Sequence, residues 1–583
     1  MNIVQSFMEH CEKNPLSSAV AYIHKSKVVE LNWNQAKDRI AQIQNVLIHT
    51  GVQSQERVCI ISNTCKEWGF VDMATMALGA VTVPIYHSSS PEEIHFIIEQ
   101  TDPKIIFVEN EIAYKKLLQS DLDLSQKTVI AFQPFKNSKS QPHFLADMIS
   151  AYRDKESSLT STNIKIDDVA SLIYTSGTSG QPKGVVLTHR QLLSSVQDVF
   201  PMLEVTSEDR TLTFLPLSHV LGRLELWGHY YYGYTIGYAR SIETLKKDLG
   251  LIRPTVLVGV PRIFEKIYFG ITAQVEISKL KKYIFDRALD IGEDSQKLSE
   301  QKKVPSLFQA LQKQLAHRLV YSPIKEKLGG QIRFAICGGA PLDSKIFAFF
   351  RACGITILEG YGLTETTGPV FVNTLFENRP SYVGKAVGDV KVRFEDDGEI
   401  LIKSDKVMTG YFQNEEDTRA AFTADGFFRT GDIGELSEDG FLKITDRKKD
   451  LIKTAGGKFV APQKLQRLFS TQPLIGHVHI HGDKKKFIVA LLTLDTDATQ
   501  KKIEELGVMN ENLDLGKNKK ILEEVRQIVA HVNQQLASHE TIKRFHILNQ
   551  DFSIETGELT PSLKMKRKVI DQKYADILED LHR

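Results

Sequence analysis

Short, continuous apolar runs alternate with helix-period segments along much of the chain. Arg57–Ser62 reads as a buried strand, and Glu67–Leu78 as the helix that follows it. Lys104–Val108 and Asn110–Leu118 repeat that pair. Ser171–Ile173 is a further strand, and Thr255–Gly259 and Ile332–Cys337 are strands that each run into a Gly or Pro turn. This alternation predicts α/β architecture with parallel sheets, whose ligands gather at the carboxyl ends of the strands. From Val275 to Lys327 the pattern changes. Lys, Glu, Gln and Leu at helical spacing predict a long helical insertion with a solvated face. Arg429–Lys458, dense in Gly, Asp and Lys, reads as a junction. Beyond it, strands over Val478–Ile480 and Phe487–Leu494 and an amphipathic helix over Asn518–Leu536 predict a smaller α+β part. The most apolar stretch, Val71–Tyr86, is broken by Asp72, Gly79 and Pro84 and is too short to span a bilayer.

Composition narrows the class. The chain has 583 residues, more than one hydrophobic core supports, so two or more domains are expected. Hydrophobic residues make up 42% and charged residues 25%, the balance of a globular protein, and a net charge of +1 gives no electrostatic footprint for nucleic acid. Cys11, Cys59, Cys65, Cys337 and Cys353 are odd in number, scattered and without CxxC spacing. They suggest neither a disulfide framework nor a zinc site, and read as small buried residues in a reducing cytoplasm. Met1–His10 lacks the basic start and apolar core of a signal peptide.

The chemistry concentrates first in Tyr174-Thr175-Ser176-Gly177-Thr178-Ser179-Gly180-Gln181-Pro182-Lys183-Gly184. Glycines bring backbone N–H groups close to an anion, hydroxyls add donors and the lysine adds a point charge, so the loop suits a polyphosphate. It is not a Walker A loop, because Pro182 and Gly184 flank the lysine where a helix would have to begin. Taken alone, the loop also reads as a Ser/Gly-rich linker.

Further loops follow in order: Phe214-Leu215-Pro216-Leu217-Ser218-His219, Gly338-Gly339-Ala340-Pro341, Glu359-Gly360-Tyr361-Gly362-Leu363-Thr364-Glu365-Thr366, Arg429-Thr430-Gly431-Asp432, Asp446-Arg447-Lys448-Lys449-Asp450 and Leu559-Thr560-Pro561-Ser562-Leu563-Lys564. Together, from about Ala36 to about Arg567, they resemble the adenylate-forming superfamily of acyl-CoA synthetases, adenylation domains and luciferases. Val260-Pro261-Arg262-Ile263-Phe264-Glu265-Lys266-Ile267, the helical insertion and the ending Leu559–Arg567 resemble long-chain fatty acyl-CoA synthetases of bacterial type.

That resemblance implies a large N-terminal domain, residues 1–445, of layered α/β subdomains and a small mobile α+β domain, residues 446–583, turning about Asp446. It implies ATP and coenzyme A as cosubstrates, Mg²⁺ as cofactor, and a two-step reaction. A fatty-acid carboxylate attacks the α-phosphate of ATP, and the thiol of coenzyme A then displaces AMP. Thr175, Ser176, Gly177, Thr178, Ser179, Gly180 and Lys183 would cradle phosphates. Thr175 and Glu365 would hold Mg²⁺. Gly339, Ala340, Pro341, Glu359, Gly360 and Tyr361 would form the adenine site, with the Tyr361 ring stacked on the base. Thr364 would contact the α-phosphate. Asp432 would bind the ribose hydroxyls, and Arg447 the ribose or a phosphate. Lys449 and Lys453 are further nucleotide candidates. Lys564 is the implied catalytic lysine, with Lys566 a competitor because many relatives carry Gly where this chain has Leu563. Rotation would replace the Lys564 loop by Gly456-Gly457, with Phe459 lining the pantetheine tunnel.

Other readings stand beside these. His219 is either a pocket residue near the reacting carboxylate or a structural histidine. Trp227 and Tyr230–Tyr232 are either tunnel walls or core. The partners are small molecules, not nucleic acid. A cytoplasmic location is expected, while a peripheral contact with the inner face of the membrane, and a monomer or homodimer, remain open. So do two other functions: a fatty acyl-AMP ligase serving a carrier protein, and a non-catalytic fatty-acid or nucleotide binder.

Overall fold

The computed structural model describes residues 2–135, 142–152, 158–161, 163–175, 181–276, 278–301, 303–507, 514–554, 556–560 and 564–583. Two large sheets carry the N-terminal part. One has eight strands in the order Gly410–Tyr411, Lys183–Thr188, Val169–Thr175, Val81–Tyr86, Arg57–Ser62, Ile105–Val108, Thr128–Ala131, His143–Phe144. The other has nine, running from Lys385–Ala386 through Gly368–Val372, Thr356–Leu363, Phe334–Cys337, Val256–Gly259, Arg210–Thr213, Thr235–Tyr238 and Ser18–His24 to Lys27–Asn32. Their centres are parallel; antiparallel pairs close both edges of the nine-stranded sheet and one edge of the eight-stranded sheet, whose other edge, Thr128–Ala131 with His143–Phe144, is parallel.

The central strands are buried along nearly their whole length, as at Arg57–Ser62, because helices cover both faces. Helix starts are written locally. Ser90 and Glu93 form a reciprocal capping box with Pro91 at the first position, and Asn32 and Gln35 repeat it without the proline. The helix Val220–Tyr232 ends on Gly233 at φ +73°, a left-handed turn that glycine adopts without strain.

The insertion is helical as its spacing predicts, in three pieces: Lys279–Glu300, Leu307–Ala316 and, through a π-turn at His317–Tyr321, Ser322–Lys327. Its outer face is not simply polar. Leu280, Tyr283, Leu307, Phe308 and Leu311 are exposed. Arg429–Lys458 is more ordered than a junction. Phe428–Leu436 and Leu442–Arg447 complete a four-stranded antiparallel sheet with Lys391–Phe394 and Glu399–Lys403. From Ile452 onward a separate core forms around the strands Ile475–His481, Ile488–Leu494 and Ile542–Ile547, with the helix Lys519–Asn533 packed on them. Cys11, Cys59, Cys337 and Cys353 are buried free thiols. Among the described residues no helix is long and apolar enough to cross a membrane.

Candidate active site

One cavity of about 620 Å³ runs between the two sheets and the C-terminal part. Its walls have two characters. Lys183, Glu365, Arg447, Lys449 and Lys564 line one arm, and Val199, Phe200, Leu203, Leu224 and Val256 line the other.

The polar arm begins at a hairpin. Val169–Thr175 and Lys183–Thr188 pair antiparallel, with Thr175 opposite Lys183, so the strands deliver both residues to the cavity. Ser176, Gly177, Thr178, Ser179 and Gly180 lie outside the described residues. The Lys183 ammonium lies 2.7 Å from an Asp417 carboxylate oxygen and 5.2 Å from the centre of the Tyr411 ring. Tyr411 in turn donates its hydroxyl to Glu365 Oε1 at 3.0 Å. Asp417 and Tyr411 were not among the sequence candidates, yet they link the phosphate-loop lysine to the expected metal carboxylate.

Thr364 and Glu365 occupy a 3₁₀ turn after the strand Thr356–Leu363. This segment, expected as a loop, is a strand as far as Leu363. Gly362 has to be glycine there, since a Cβ would lie 1.9 Å from the Gly368 carbonyl oxygen. Glu359, Gly360 and Gly339 line the cavity, but Ala340 and Pro341 are exposed and do not, because the loop turns outward after Gly339 at φ +83°. Burial pushes the Glu359 carboxyl up to about 7. Its Oε1 accepts the Leu342 N–H at 3.0 Å, and its Oε2 has no partner.

Tyr361 is a correction. Its ring packs among Phe371, Ile400 and Leu442, and it is not among the residues that line the cavity. Its hydroxyl donates instead to Asp432 Oδ2 at 2.7 Å, while Arg447 Nε donates to Asp432 Oδ1 at 3.0 Å. The carboxylate is therefore fixed from both sides, one layer behind the wall formed by Thr430 and Gly431. A carboxylate has lone pairs to spare for further donors.

Lys564 enters from the C-terminal part. Its N–H donates to Thr560 Oγ1 at 3.0 Å, and the Thr560 N–H donates back to the Lys564 carbonyl at 2.7 Å, which closes a turn facing the cavity. Pro561, Ser562 and Leu563 lie outside the described residues. The open surface of Lys564 borders the cavity, and protein surrounds it. Burial, helped by the Arg447 charge, lowers its ammonium to about 8 against the pull of Asp432 and Glu365. Lys566 points elsewhere, to Glu93 at 3.3 Å.

His219 caps the helix Val220–Tyr232, its Nδ1 accepting the Leu221 N–H at 3.2 Å. That bond leaves the proton on Nε2. Burial, and then the Lys564 charge, lower the ring to about 3, so it is neutral at pH 7. It is thus both structural and cavity-lining. Trp227 and Tyr230 are core, with the Tyr230 hydroxyl bonded to the Gly69 carbonyl.

Lys453, Gly456, Gly457 and Phe459 stand outside the cavity, on the hairpin Ile452–Lys453/Phe459–Val460. The Lys453 ammonium rests 5.5 Å from the centre of the exposed Phe459 ring. Asp446 is buried in the strand Leu442–Arg447, opposite Ile433 at an irregular point of the register. Desolvation and the nearby Asp450 raise its carboxyl to about 6.

The residues fit a magnesium nucleotide. Several cations converge on one arm to balance a polyphosphate. Thr175 and Glu365 offer the oxygen donors a hard cation takes. Glu359 Oε2 is free to meet a polar base edge.

Profiles of known families recognise the chain in two blocks. The AMP-binding enzyme profile matches residues 7–412 and the AMP-binding enzyme C-terminal domain matches residues 449–583. The chain belongs to the AMP-binding enzyme family. This family member is 35% identical to the long-chain-fatty-acid–CoA ligase FadD15 of Mycobacterium bovis, over 100% of this chain and 97% of that protein. It is 29% identical to mouse long-chain-fatty-acid–CoA ligase 5, over 95% and 84% of the two chains. Solved structures share the fold. The adenylation domain of a carboxylate reductase from Mycobacterium chelonae matches with a TM-score of 0.78 at 22% identity, covering 100% of this chain and 91% of that one. An anthranilate CoA ligase in complex with anthranoyl-AMP matches with a TM-score of 0.76 at 18% identity, covering 100% and 98%.

Proposed function

We propose that this AMP-binding enzyme is a long-chain fatty acid:CoA ligase that releases AMP and pyrophosphate. The observation that carries the reading is the single cavity with a cationic arm and an apolar arm, and with Lys564 on its wall. A polyphosphate fits the first arm and an alkyl chain the second. In this reading the Lys564 ammonium draws the fatty-acid carboxylate and an α-phosphate oxygen together and stabilises the charge that builds between them. Lys183 and Arg447 hold phosphate and ribose, and Asp432 accepts from the ribose hydroxyls. Neutral His219 closes the carboxylate end without adding charge. Bound Mg²⁺, held by Thr175 and Glu365, neutralises phosphate charge. We place the domain boundary at 445/446 and the hinge at Asp446. The separate core beyond Ile452 supports that division. Rotation there would withdraw Lys564 and bring Gly456, Gly457 and Phe459 inward for the thioester step.

The insertion supports a location. Val304, Leu307, Phe308, Leu311 and Leu315 form an exposed apolar face, with Leu280 and Tyr283 on the neighbouring helix and exposed Lys279, Lys281 and Lys313 around it. Apolar residues rimmed by lysine suit an anionic bilayer surface. We place the enzyme in the cytoplasm with this face on the inner leaflet. Sedimentation with vesicles containing phosphatidylglycerol should fall in Phe308→Ser/Leu311→Ser. Unchanged sedimentation, or dimer loss in its place, would reject the bilayer.

The deciding measurement is coenzyme A-dependent AMP release from ATP, across saturated fatty acids of increasing length and an aromatic acid. Turnover peaking at long chains supports the reading. ATP–pyrophosphate exchange with no stimulation of AMP release by coenzyme A points to an acyl-AMP ligase, and no exchange to a binder.

A further inference from the structure

The apolar arm contains a cluster that an unsubstituted alkyl chain does not explain. Glu225 lies in the helix Val220–Tyr232, lines the cavity and is 2% exposed. Neither of its carboxyl oxygens has a hydrogen-bond partner of normal geometry. Thr211 and Thr213, on the facing strand Arg210–Thr213, are buried too, and their hydroxyls have no such partner either. Thr211 also lines the cavity, and the walls beside the two are Val199, Leu203, Val256 and Tyr234. The Tyr234 hydroxyl is already committed to the Glu225 backbone carbonyl. The two threonines still draw on the carboxyl, so the three groups interact with one another but without a well-formed bond, and a folded chain rarely leaves such a cluster in an apolar wall unless something completes its hydrogen bonding.

The occupant can be narrowed by charge. Burial pushes the Glu225 carboxyl up to about 7, although hydrogen bonding from Thr211 and Thr213 pulls it down, so near neutral pH the group is about half in the acid form, which both donates and accepts. No cation stands among the residues of this arm named above. An anionic group on the ligand would find no counter-charge, and an ammonium would have to shed its water along an apolar wall. A neutral hydroxyl avoids both penalties, since it can accept from one of these groups and donate to another. Glu225 is six positions along the helix from His219, which places it about 9 Å along the axis from the polar arm at 1.5 Å per residue. The hydroxyl it would meet is therefore carried on the chain, away from the carboxylate.

We propose that Glu225 and Thr211 form a specificity subsite for fatty acids that bear a hydroxyl along the alkyl chain. The proposal rests on the fatty-acid ligase reading and names its substrate class more closely. A wall built to hydrogen-bond a substrate hydroxyl discriminates against the analogue lacking it far more strongly than an apolar wall discriminates between alkyl chains, because the unmatched polar groups stay unpaired.

The test measures kcat/KM of the full chain for palmitate and for its monohydroxy isomers, with the hydroxyl stepped along the chain. Wild type, Glu225→Gln, Glu225→Leu and Thr211→Val are compared. One isomer, or two adjacent ones, should exceed palmitate at least tenfold in wild type. Glu225→Gln should keep most of that ratio, Thr211→Val should reduce it, and Glu225→Leu should bring it close to one. Because the comparison within wild type needs no variant, a poorly folding mutant does not rescue the idea. If wild type turns over palmitate but favours no hydroxy isomer, or if the ratio survives Glu225→Leu, the cluster holds only water and the proposal is overturned. If no fatty acid is turned over at all, the ligase reading falls first and the subsite falls with it.

Discussion

The two arms of the cavity balance charge differently. In the nucleotide arm most charges come in pairs, although Glu359 keeps one oxygen without a partner. Lys183 rests on Asp417, Arg447 on Asp432, and Lys448 on Glu399. In the acyl arm Glu225 has no charged partner and no hydrogen bond of normal geometry, only the nearby Thr211 and Thr213 hydroxyls. A paired charge can exchange its protein partner for a ligand at little net cost, whereas an unpaired group costs stability until a ligand arrives. The first arm is therefore prepared for a ligand that brings charge, and the second keeps an unmet demand for a neutral one.

The sharpest way to break this comparison is at Lys564, whose partners in the nucleotide arm are Asp432 and Glu365 by charge alone. Lys564→Ala should lower adenylation, read by ATP–pyrophosphate exchange, by about 10²–10³, while thioester formation from supplied acyl-adenylate stays within a few-fold. Equal loss of both half-reactions would sink the assignment, and a selective phenotype in Lys566→Ala would move it by two residues.

Next in size is the pH limb. The lysine acts as a cation, and its folded value is lowered to about 8, so the charged form dominates below that and is lost above it. kcat/KM for adenylation, which reports the free enzyme, should fall by about tenfold per pH unit above 8. In Lys564→Arg, any residual activity should lack this limb, since a guanidinium stays charged.

The acyl arm gives a stability counterpart. Glu225→Leu removes a buried carboxyl that has no well-formed hydrogen bond and should stabilise the protein by about 1–3 kcal/mol. The Glu225 value is raised from 4.5 to about 7, so wild type is relieved of the penalty below the lower value and bears it increasingly as pH rises through the upper one. The gap in Tm between variant and wild type should therefore widen from pH 5 to pH 8. A constant gap would show that the carboxyl is already satisfied.

The smallest effect belongs to Asp417→Asn, which frees Lys183 from a partly exposed pair worth roughly 0.2–1 kcal/mol. The KM for ATP should drop by a factor of about 1.4–5. A rise in KM instead would mean that Asp417 orients the lysine rather than holding it back.

Much of the nucleotide arm was legible because its residues come in local runs. The Lys183 loop, Glu359–Thr366 and Arg429–Asp432 each carry a turn and a charge within a few positions. Strands such as Arg57–Ser62 were legible because burial on both faces leaves a continuous apolar run. The misses have a common cause. Asp417 and Tyr411 reach Lys183 across more than 200 positions, through an edge strand of only two residues, Gly410–Tyr411, paired to Lys183–Thr188. Glu225 sits in a helix where an acid on the apolar side looks like a solvated one until the facing strand is known. The burial of Tyr361 depends on strands from a different sheet, which local sequence does not announce.

The C-terminal part meets the large one at its rim through Lys566–Glu93 at 3.3 Å and Arg262–Asp495 at 3.8 Å. All four side chains are partly exposed, so each pair is worth only about 0.2–1 kcal/mol and is screened within a Debye length of about 8 Å at physiological salt. A weak clasp of this kind behaves as a clutch. Ionic strength loosens it while leaving the cores on either side intact, so, under the proposed rotation about Asp446, added salt should shorten the residence of Lys564 in the cavity and speed the handover to the second half-reaction.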